Sequence, residues 1–152
     1  MDFPSGEASP KEKATEALDA INKGADEIDF VVDVLALKDQ DYKKVFDGIK
    51  SVVDVAKHLP VKVIIETFYL NDYEKIIACS LAKAAGAKFV KTSTGIKGGA
   101  TAEDVSLMKK IVGENMFVKA SGGIKTLEDA ILMIDAGASR IGTSKSLELI
   151  KN

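Results

Sequence analysis

Two lysines stand where an amine could react with a carbonyl compound. Lys91 ends the apolar run Phe89-Val90-Lys91, and Lys119 ends the next one, Phe117-Val118-Lys119. A lysine that ends an inner strand of a parallel sheet points toward the carboxyl-end crevice, where α/β proteins bind ligands. Two partly desolvated ammonium groups close together lower at least one pKa, and Schiff-base chemistry requires a neutral amine. The alternative is that each lysine reaches solvent at the end of its strand.

Two aspartates occupy an earlier apolar run, residues 27–34. If this run is one strand, its alternation places Asp29 and Asp33 on the same inward face. Buried carboxylates are costly unless they are paired, and the later lysines are the obvious partners. A carboxylate beside an amine can relay protons during imine formation, although a purely structural ion pair explains the pattern equally well.

Glycine-rich loops follow the last two predicted strands, at Gly122-Gly123 and at Gly142-Thr143-Ser144. Backbone N–H groups in such loops bind phosphate, and barrel enzymes commonly hold phosphate after their last two strands. Plain turns are the alternative. Glu66-Thr67 could line the same crevice, but we favour an exposed strand end. Lys97 could reach a ligand anion, but we favour a solvated loop lysine.

The single histidine and the single cysteine offer no catalytic cluster. We expect His58 to lie on the surface and Cys79 in the core, and no Cys/His spacing indicates zinc. No Gly-x-Gly-x-x-Gly follows a strand, so dinucleotide binding has no support. One cysteine cannot form an internal disulfide, which favours a reducing, cytoplasmic location.

Helices and strands alternate along the chain, which predicts a parallel sheet with right-handed crossovers. Capping boxes at Ser9–Glu12 and Asn71–Glu74 indicate two of the helix starts. The predicted strands cover about 27–34, 61–66, 88–92, 116–120 and 139–142. The predicted helices cover about 10–23, 42–58, 72–86, 101–112, 126–136 and a last segment from 144.

Length and composition indicate one soluble globular domain over residues 1–152, with 46% hydrophobic and 29% charged residues. A net charge of −2 gives no general attraction to nucleic acid or an anionic membrane. No apolar run is long enough to span a bilayer, and the first residues do not resemble a signal peptide. Five strands fit either a complete open α/β domain or the C-terminal part of a (β/α)₈ barrel, which has eight strands and typically ~250 residues.

Six segments, in this order over nearly the whole chain, resemble deoxyribose-phosphate aldolases. They are Glu27-Ile28-Asp29, Lys62-Val63-Ile64-Ile65-Glu66-Thr67, Phe89-Val90-Lys91-Thr92-Ser93-Thr94-Gly95, Gly98-Gly99-Ala100-Thr101, Val118-Lys119-Ala120-Ser121-Gly122-Gly123-Ile124 and Arg140-Ile141-Gly142-Thr143-Ser144. The resemblance implies a TIM barrel and a class I aldolase that cleaves 2-deoxyribose 5-phosphate to glyceraldehyde 3-phosphate and acetaldehyde. It implies no metal or organic cofactor.

The resemblance also assigns roles to particular residues. Lys91 would form the Schiff base, Lys119 would lower its pKa and help proton transfer, and Asp29 would be the acid/base carboxylate. The residues expected to bind this small phosphorylated sugar are Thr94, Gly95, Gly122, Gly123, Gly142, Thr143 and Ser144. Asp33 stands where many members carry a neutral polar residue.

The same resemblance implies that the barrel is incomplete, because the first two strands and most of a third would precede Phe3. Two strand edges would then be unpaired, which favours a homo-oligomer or pairing with a separate N-terminal piece. The sequence leaves two other interpretations open. One is a non-catalytic partial barrel that associates through its edges, and the other is an open α/β phosphate-binding domain without aldol chemistry.

Overall fold

The computed structural model describes residues 1–150, which form five strands and seven α-helices. The elements in chain order are α1 (Pro10–Asn22), β1 (Ile28–Val31), α2 (Val34–Lys38), α3 (Tyr42–Ala56), β2 (Val61–Ile64), a 3₁₀ turn (Thr67–Tyr69), α4 (Asp72–Ala85), β3 (Phe89–Lys91), α5 (Ala102–Val112), β4 (Phe117–Ser121), α6 (Leu127–Asp135), β5 (Arg140–Gly142) and α7 (Ser146–Leu149).

The five strands form one parallel sheet in the order β1-β2-β3-β4-β5. Each strand lies beside the next one along the chain. A doubly wound open sheet has a switch point where the strand order reverses, whereas a barrel adds its strands in sequence. The order therefore favours the barrel and confirms the predicted run of five parallel strands alternating with helices.

The helices pack on the outer face of the sheet through apolar stripes. In α3, the buried residues Val45, Ile49, Val52 and Ala56 recur every three or four positions, which is the period of one helix face. Each fully buried Val or Ile contributes about 1.5–3 kcal/mol. Both predicted capping boxes are present, at the starts of α1 and α4. Among residues 1–150, no helix has both the length and the hydropathy needed to cross a membrane.

The prediction of one strand over residues 27–34 was wrong. The strand ends at Val31, and Asp33 is the N-cap residue of the short helix α2. Its carboxylate accepts a 2.8 Å hydrogen bond from the Ala36 N–H and pairs with Lys44 at 2.7 Å. Asp33 therefore does not share an inward face with Asp29. A capping carboxylate satisfies a free N–H of the first helical turn, and this local preference outweighs the strand propensity of the surrounding valines.

Other boundaries shift by a few residues. β4 continues beyond Lys119 to Ser121, so Lys119 lies in the middle of its strand, and the last helix starts at Ser146 rather than at Ser144. His58 is exposed and Cys79 is fully buried, as expected. Burial raises the pKa of the Cys79 thiol to about 12, so this cysteine stays protonated.

Candidate active site

The strand register brings charged side chains from all five strands to the concave face of the sheet. Asp29 lies beside Lys62, Lys91 beside Lys119, and Lys119 beside Arg140. Residues in register on adjacent parallel strands point to the same side of a sheet. Helices cover the other face of the sheet, so these charged side chains lie on the face that forms the interior of a barrel.

Asp29 is the centre of this cluster, and its two oxygens have different partners. Oδ1 accepts a 2.6 Å hydrogen bond from Lys62 Nζ. Oδ2 accepts from both Lys91 Nζ, at 3.2 Å, and Lys119 Nζ, at 3.0 Å. One carboxylate oxygen therefore bridges the two lysines, and the other is anchored by a third.

The cluster sets the protonation states of its members. Burial opposes ionisation of Asp29, but the hydrogen bonds and charges of Lys62 and Lys119 outweigh it and lower the pKa of Asp29 to about 2. Burial lowers the pKa of Lys91 below its usual value. Asp29 opposes that shift, while Lys119 and Lys62 add to it. Asp29 is thus ionised at neutral pH, and Lys91 is closer to a neutral amine than an exposed lysine.

Lys62 is a member of this cluster that the analysis of individual residues missed. Its side chain is only 2% exposed and also pairs with Glu27 at 2.8 Å, and Glu27 in turn binds Arg140 at 2.7 Å. The hydrogen bonds from Arg140 and Lys62 lower the pKa of Glu27 to about 2. Four cations thus face two carboxylates. The alternation in Val61-Lys62-Val63 could have indicated this position, since it places Lys62 on the face of the strand away from the two core valines.

A cavity of about 350 Å³ opens beside the two lysines. Its wall contains nine of the ten residues predicted to act in catalysis or binding, all except Asp29. The cavity is lined by Lys91, Thr94, Gly95, Lys119, Ser121, Gly122, Gly123, Ile124, Lys125, Gly142, Thr143 and Ser144. The lysines and the glycine loops thus share one cavity.

The two glycine loops are tied to each other. Thr143 Oγ1 donates a 2.7 Å hydrogen bond to the Ile124 carbonyl and accepts one from the Lys145 N–H, so this hydroxyl holds the two loops in register. Gly122 and Gly123 have φ of +91° and +76°, a region that glycine enters without strain. This backbone forms a concave wall between β4 and β5, of the kind that presents N–H groups to an anion.

The expectation of an exposed strand end at Glu66-Thr67 was wrong, because both residues are buried after the end of β2. Glu66 supports the site from outside the cavity. It is 3% exposed, and its Oε1 accepts a 2.6 Å hydrogen bond from the Thr94 N–H, which fixes the loop after Lys91. Lys97 is exposed and does not line the cavity. Lys125 is the loop lysine that does, and the sequence analysis missed both it and Ser121. In the part of the chain described, no three His, Cys, Asp or Glu side chains cluster as a metal site.

The sequence is similar to those of known aldolases over nearly its whole length. A sequence model of the DeoC/LacD family aldolases matches residues 1–147. Relatives named deoxyribose-phosphate aldolase include those of Macrococcus caseolyticus, 54% identical over 150 residues, and Thermotoga maritima, 56% identical over 150 residues. The matches cover 98% of this chain but 68% and 60% of those relatives, so the chain spans about two thirds of their length.

Solved structures with the same arrangement include aldolases. A protein described as QR15, an aldolase, superposes with a TM-score of 0.92 at 42% identity, over 97% of this chain and 67% of that one. The deoxyribose phosphate aldolase of Aeropyrum pernix, described as tetrameric, superposes with a TM-score of 0.87 at 34% identity, over 97% of this chain and 63% of that one.

Proposed function

Because the chain belongs to the DeoC/LacD family of aldolases, we propose that it is a class I aldolase acting on 2-deoxyribose 5-phosphate. The observation that carries the proposal is the Asp29 oxygen shared by Lys91 and Lys119 beside a cavity lined with glycine loops. The names of the relatives support the substrate. They favour this function over a non-catalytic barrel fragment.

In the proposed reaction, the amine of Lys91 attacks the C1 aldehyde of the open-chain sugar, and loss of water gives a protonated imine. Removal of the C3 hydroxyl proton breaks the C2–C3 bond. The electron pair of the C2–C3 bond moves into the protonated imine and gives an enamine, and glyceraldehyde 3-phosphate leaves. Protonation of the enamine at C2 and addition of water release acetaldehyde and restore the amine.

Asp29 and Lys119 are the groups proposed to move protons in these steps. Asp29 Oδ2 lies within hydrogen-bond distance of both amines, so it can accept a proton from one and return it to the other. The positive charge of Lys119 also favours the neutral form of Lys91. Lys62 holds the other oxygen and thereby orients the carboxylate.

The phosphate is proposed to bind where the glycine loops meet. Gly122, Gly123, Gly142, Thr143 and Ser144 lie together in the cavity wall on the side of β4 and β5. Thr94 and Gly95 line the same cavity beside Lys91, and we propose that they contact the sugar. Lys125 adds a cation at this end, and a cation beside backbone N–H groups suits a dianionic phosphate.

The setting of this reaction is part of the proposal. A phosphorylated deoxy sugar and a single reduced cysteine fit catabolism of deoxyribose phosphate in the cytoplasm. We also propose a homo-oligomer, which the tetrameric relative supports. The outer edge of β1 is partly covered by Met1, whose amine donates to the Asp29 carbonyl and whose carbonyl accepts from the Val31 N–H. Among the described strands, β5 pairs only with β4, and such an open edge favours association.

The test is release of acetaldehyde from 2-deoxyribose 5-phosphate by the 152-residue chain and by Lys91→Leu. The chain should turn the substrate over, and the variant should lose activity while its circular dichroism spectrum stays unchanged. Lys110→Leu is the matched control, because it removes an exposed lysine from α5. Turnover retained by Lys91→Leu would rule out the proposed nucleophile.

A further inference from the structure

Ser121 places in the cavity wall a hydroxyl that has no hydrogen-bond partner in the part of the chain described. The residue is 5% exposed. Its backbone, in contrast, is fully bonded: its N–H donates to Thr92 Oγ1 at 3.0 Å, and its carbonyl accepts from the hydroxyls of Thr92 and Ser93 at 3.0 and 2.6 Å. The backbone is therefore fixed, and only the side chain is free to bind.

The Ser121 hydroxyl is itself buried, and β5 passes so close to it that only glycine fits at position 142. A Cβ added to Gly142 would overlap Ser121 Oγ and would lie 3.4 Å from Lys119 Cε. Glycine on β5 thus leaves the space in which the hydroxyl and the lysine stem lie side by side. A buried hydroxyl without a partner is destabilising, because its hydrogen bonds to water have been lost and none has replaced them. Such a group in a cavity wall points to a ligand.

Ser121 stands between the two ends of the cavity. It lies two residues beyond Lys119 on β4, so the two side chains share the inward face, with Ser121 about 6.6 Å further toward the carboxyl end of the strand. The next residues of the chain are Gly122 and Gly123, which belong to the proposed phosphate loop. The hydroxyl is therefore placed to meet the middle of a ligand that reaches from Lys91 to that loop.

We propose that Ser121 Oγ hydrogen-bonds the C4 hydroxyl of the bound sugar and so selects for aldehydes hydroxylated beside the phosphorylated carbon. This inference rests on the proposed function. In that reaction C1 joins Lys91, the C3 hydroxyl gives up its proton in the Asp29–Lys119 cluster, and the phosphate on C5 occupies the glycine loops. The C4 hydroxyl is the one polar group of the substrate left, and it lies next to the phosphorylated carbon.

Synthesis with acetaldehyde tests this selection, because the C4 hydroxyl comes from the acceptor aldehyde. The two acceptors to compare are D-glyceraldehyde 3-phosphate and 3-phosphooxypropanal, which lacks the hydroxyl. For the unsubstituted chain, kcat/KM should be about tenfold higher with the hydroxylated acceptor, as expected for one neutral hydrogen bond. Ser121→Ala should lose this preference through a lower kcat/KM for glyceraldehyde 3-phosphate alone.

Two further variants keep the comparison interpretable. Ser80→Ala removes a hydroxyl that bonds to the Ile76 carbonyl on the exposed side of α4, and it should leave the preference unchanged. Ser121→Cys keeps a weak donor in nearly the same volume and should give an intermediate preference between the two acceptors. This variant provides the test if Ser121→Ala does not fold. An unchanged preference in both Ser121 variants, or an equal loss for both acceptors, would overturn the proposal.

Borohydride trapping with acetaldehyde separates this inference from the function on which it rests. The unsubstituted chain and Ser121→Ala should form the imine equally, since acetaldehyde carries neither the hydroxyl nor the phosphate. Normal trapping with an unchanged acceptor preference would refute the role of Ser121 alone. No imine with the unsubstituted chain would refute the aldolase proposal and this inference together.

Discussion

Replacing Lys119 by Met should raise the pKa of Lys91. The two amines share Asp29 Oδ2 at 3.2 and 3.0 Å, so their nitrogens are at most the sum of those distances apart, about 6.2 Å. Two like charges at ~6 Å repel by about 2–3 kcal/mol at an effective dielectric constant of about 20. Removing one of them stabilises the protonated form of Lys91, and the expected rise is about 1–2 pH units.

The assay is borohydride trapping of the acetaldehyde imine over a series of pH values, with the trapped fraction read by intact mass. The midpoint of that pH dependence reports the pKa of Lys91, and it should move to higher pH in Lys119→Met. Lys110→Met removes an exposed charge on α5 and should leave the midpoint unchanged. A midpoint that stays in place or falls in Lys119→Met would refute the electrostatic reasoning.

Three other substitutions give separate tests. Asp29→Asn removes the largest upward influence on the pKa of Lys91, so the trapping midpoint should move to lower pH while turnover falls. The pKa of Asp29 falls from 3.8 to about 2 on folding, so its ionisation adds about 2 kcal/mol to the free energy of unfolding above pH ~4. This contribution is lost as the pH falls through about 2. Urea unfolding at several pH values should show that Asp29→Asn lacks it. Lys13→Met breaks a buried ion pair with Asp2 and should lower the free energy of unfolding by about 3–5 kcal/mol, measured in the same way. Gly142→Ala places a Cβ onto Ser121 Oγ and should cost about 1–3 kcal/mol and weaken substrate binding, seen as a higher KM.

The sequence was sufficient for the parts of the fold that depend on local patterns. Largely apolar runs of four to eight residues predicted the strands, and the capping boxes at Ser9 and Asn71 predicted helix starts. The predicted strand-end lysines lie in one cavity because consecutive parallel strands put corresponding residues side by side. The structure therefore places the two lysines and the glycine loops around one cavity.

Other features could not be predicted because they depend on competition or on three-dimensional packing. Asp33 lies in a β-branched run, and only the structure shows that the chain leaves the sheet there to start α2. The burial of Lys62 depends on Asp29 and Glu27, which come from a different strand segment. The lack of a partner for Ser121 is a property of its whole surroundings, and no residue pattern reports it.

Peptide mapping after reduction with borohydride in the presence of 2-deoxyribose 5-phosphate tests the central claim most directly. The claim is that Lys91, desolvated and beside Lys119 and Asp29, is the reactive amine of this chain. A stable adduct on the peptide containing Lys91 is the predicted result. An adduct on Lys119 instead, or none on a chain that circular dichroism shows to be folded, would contradict it.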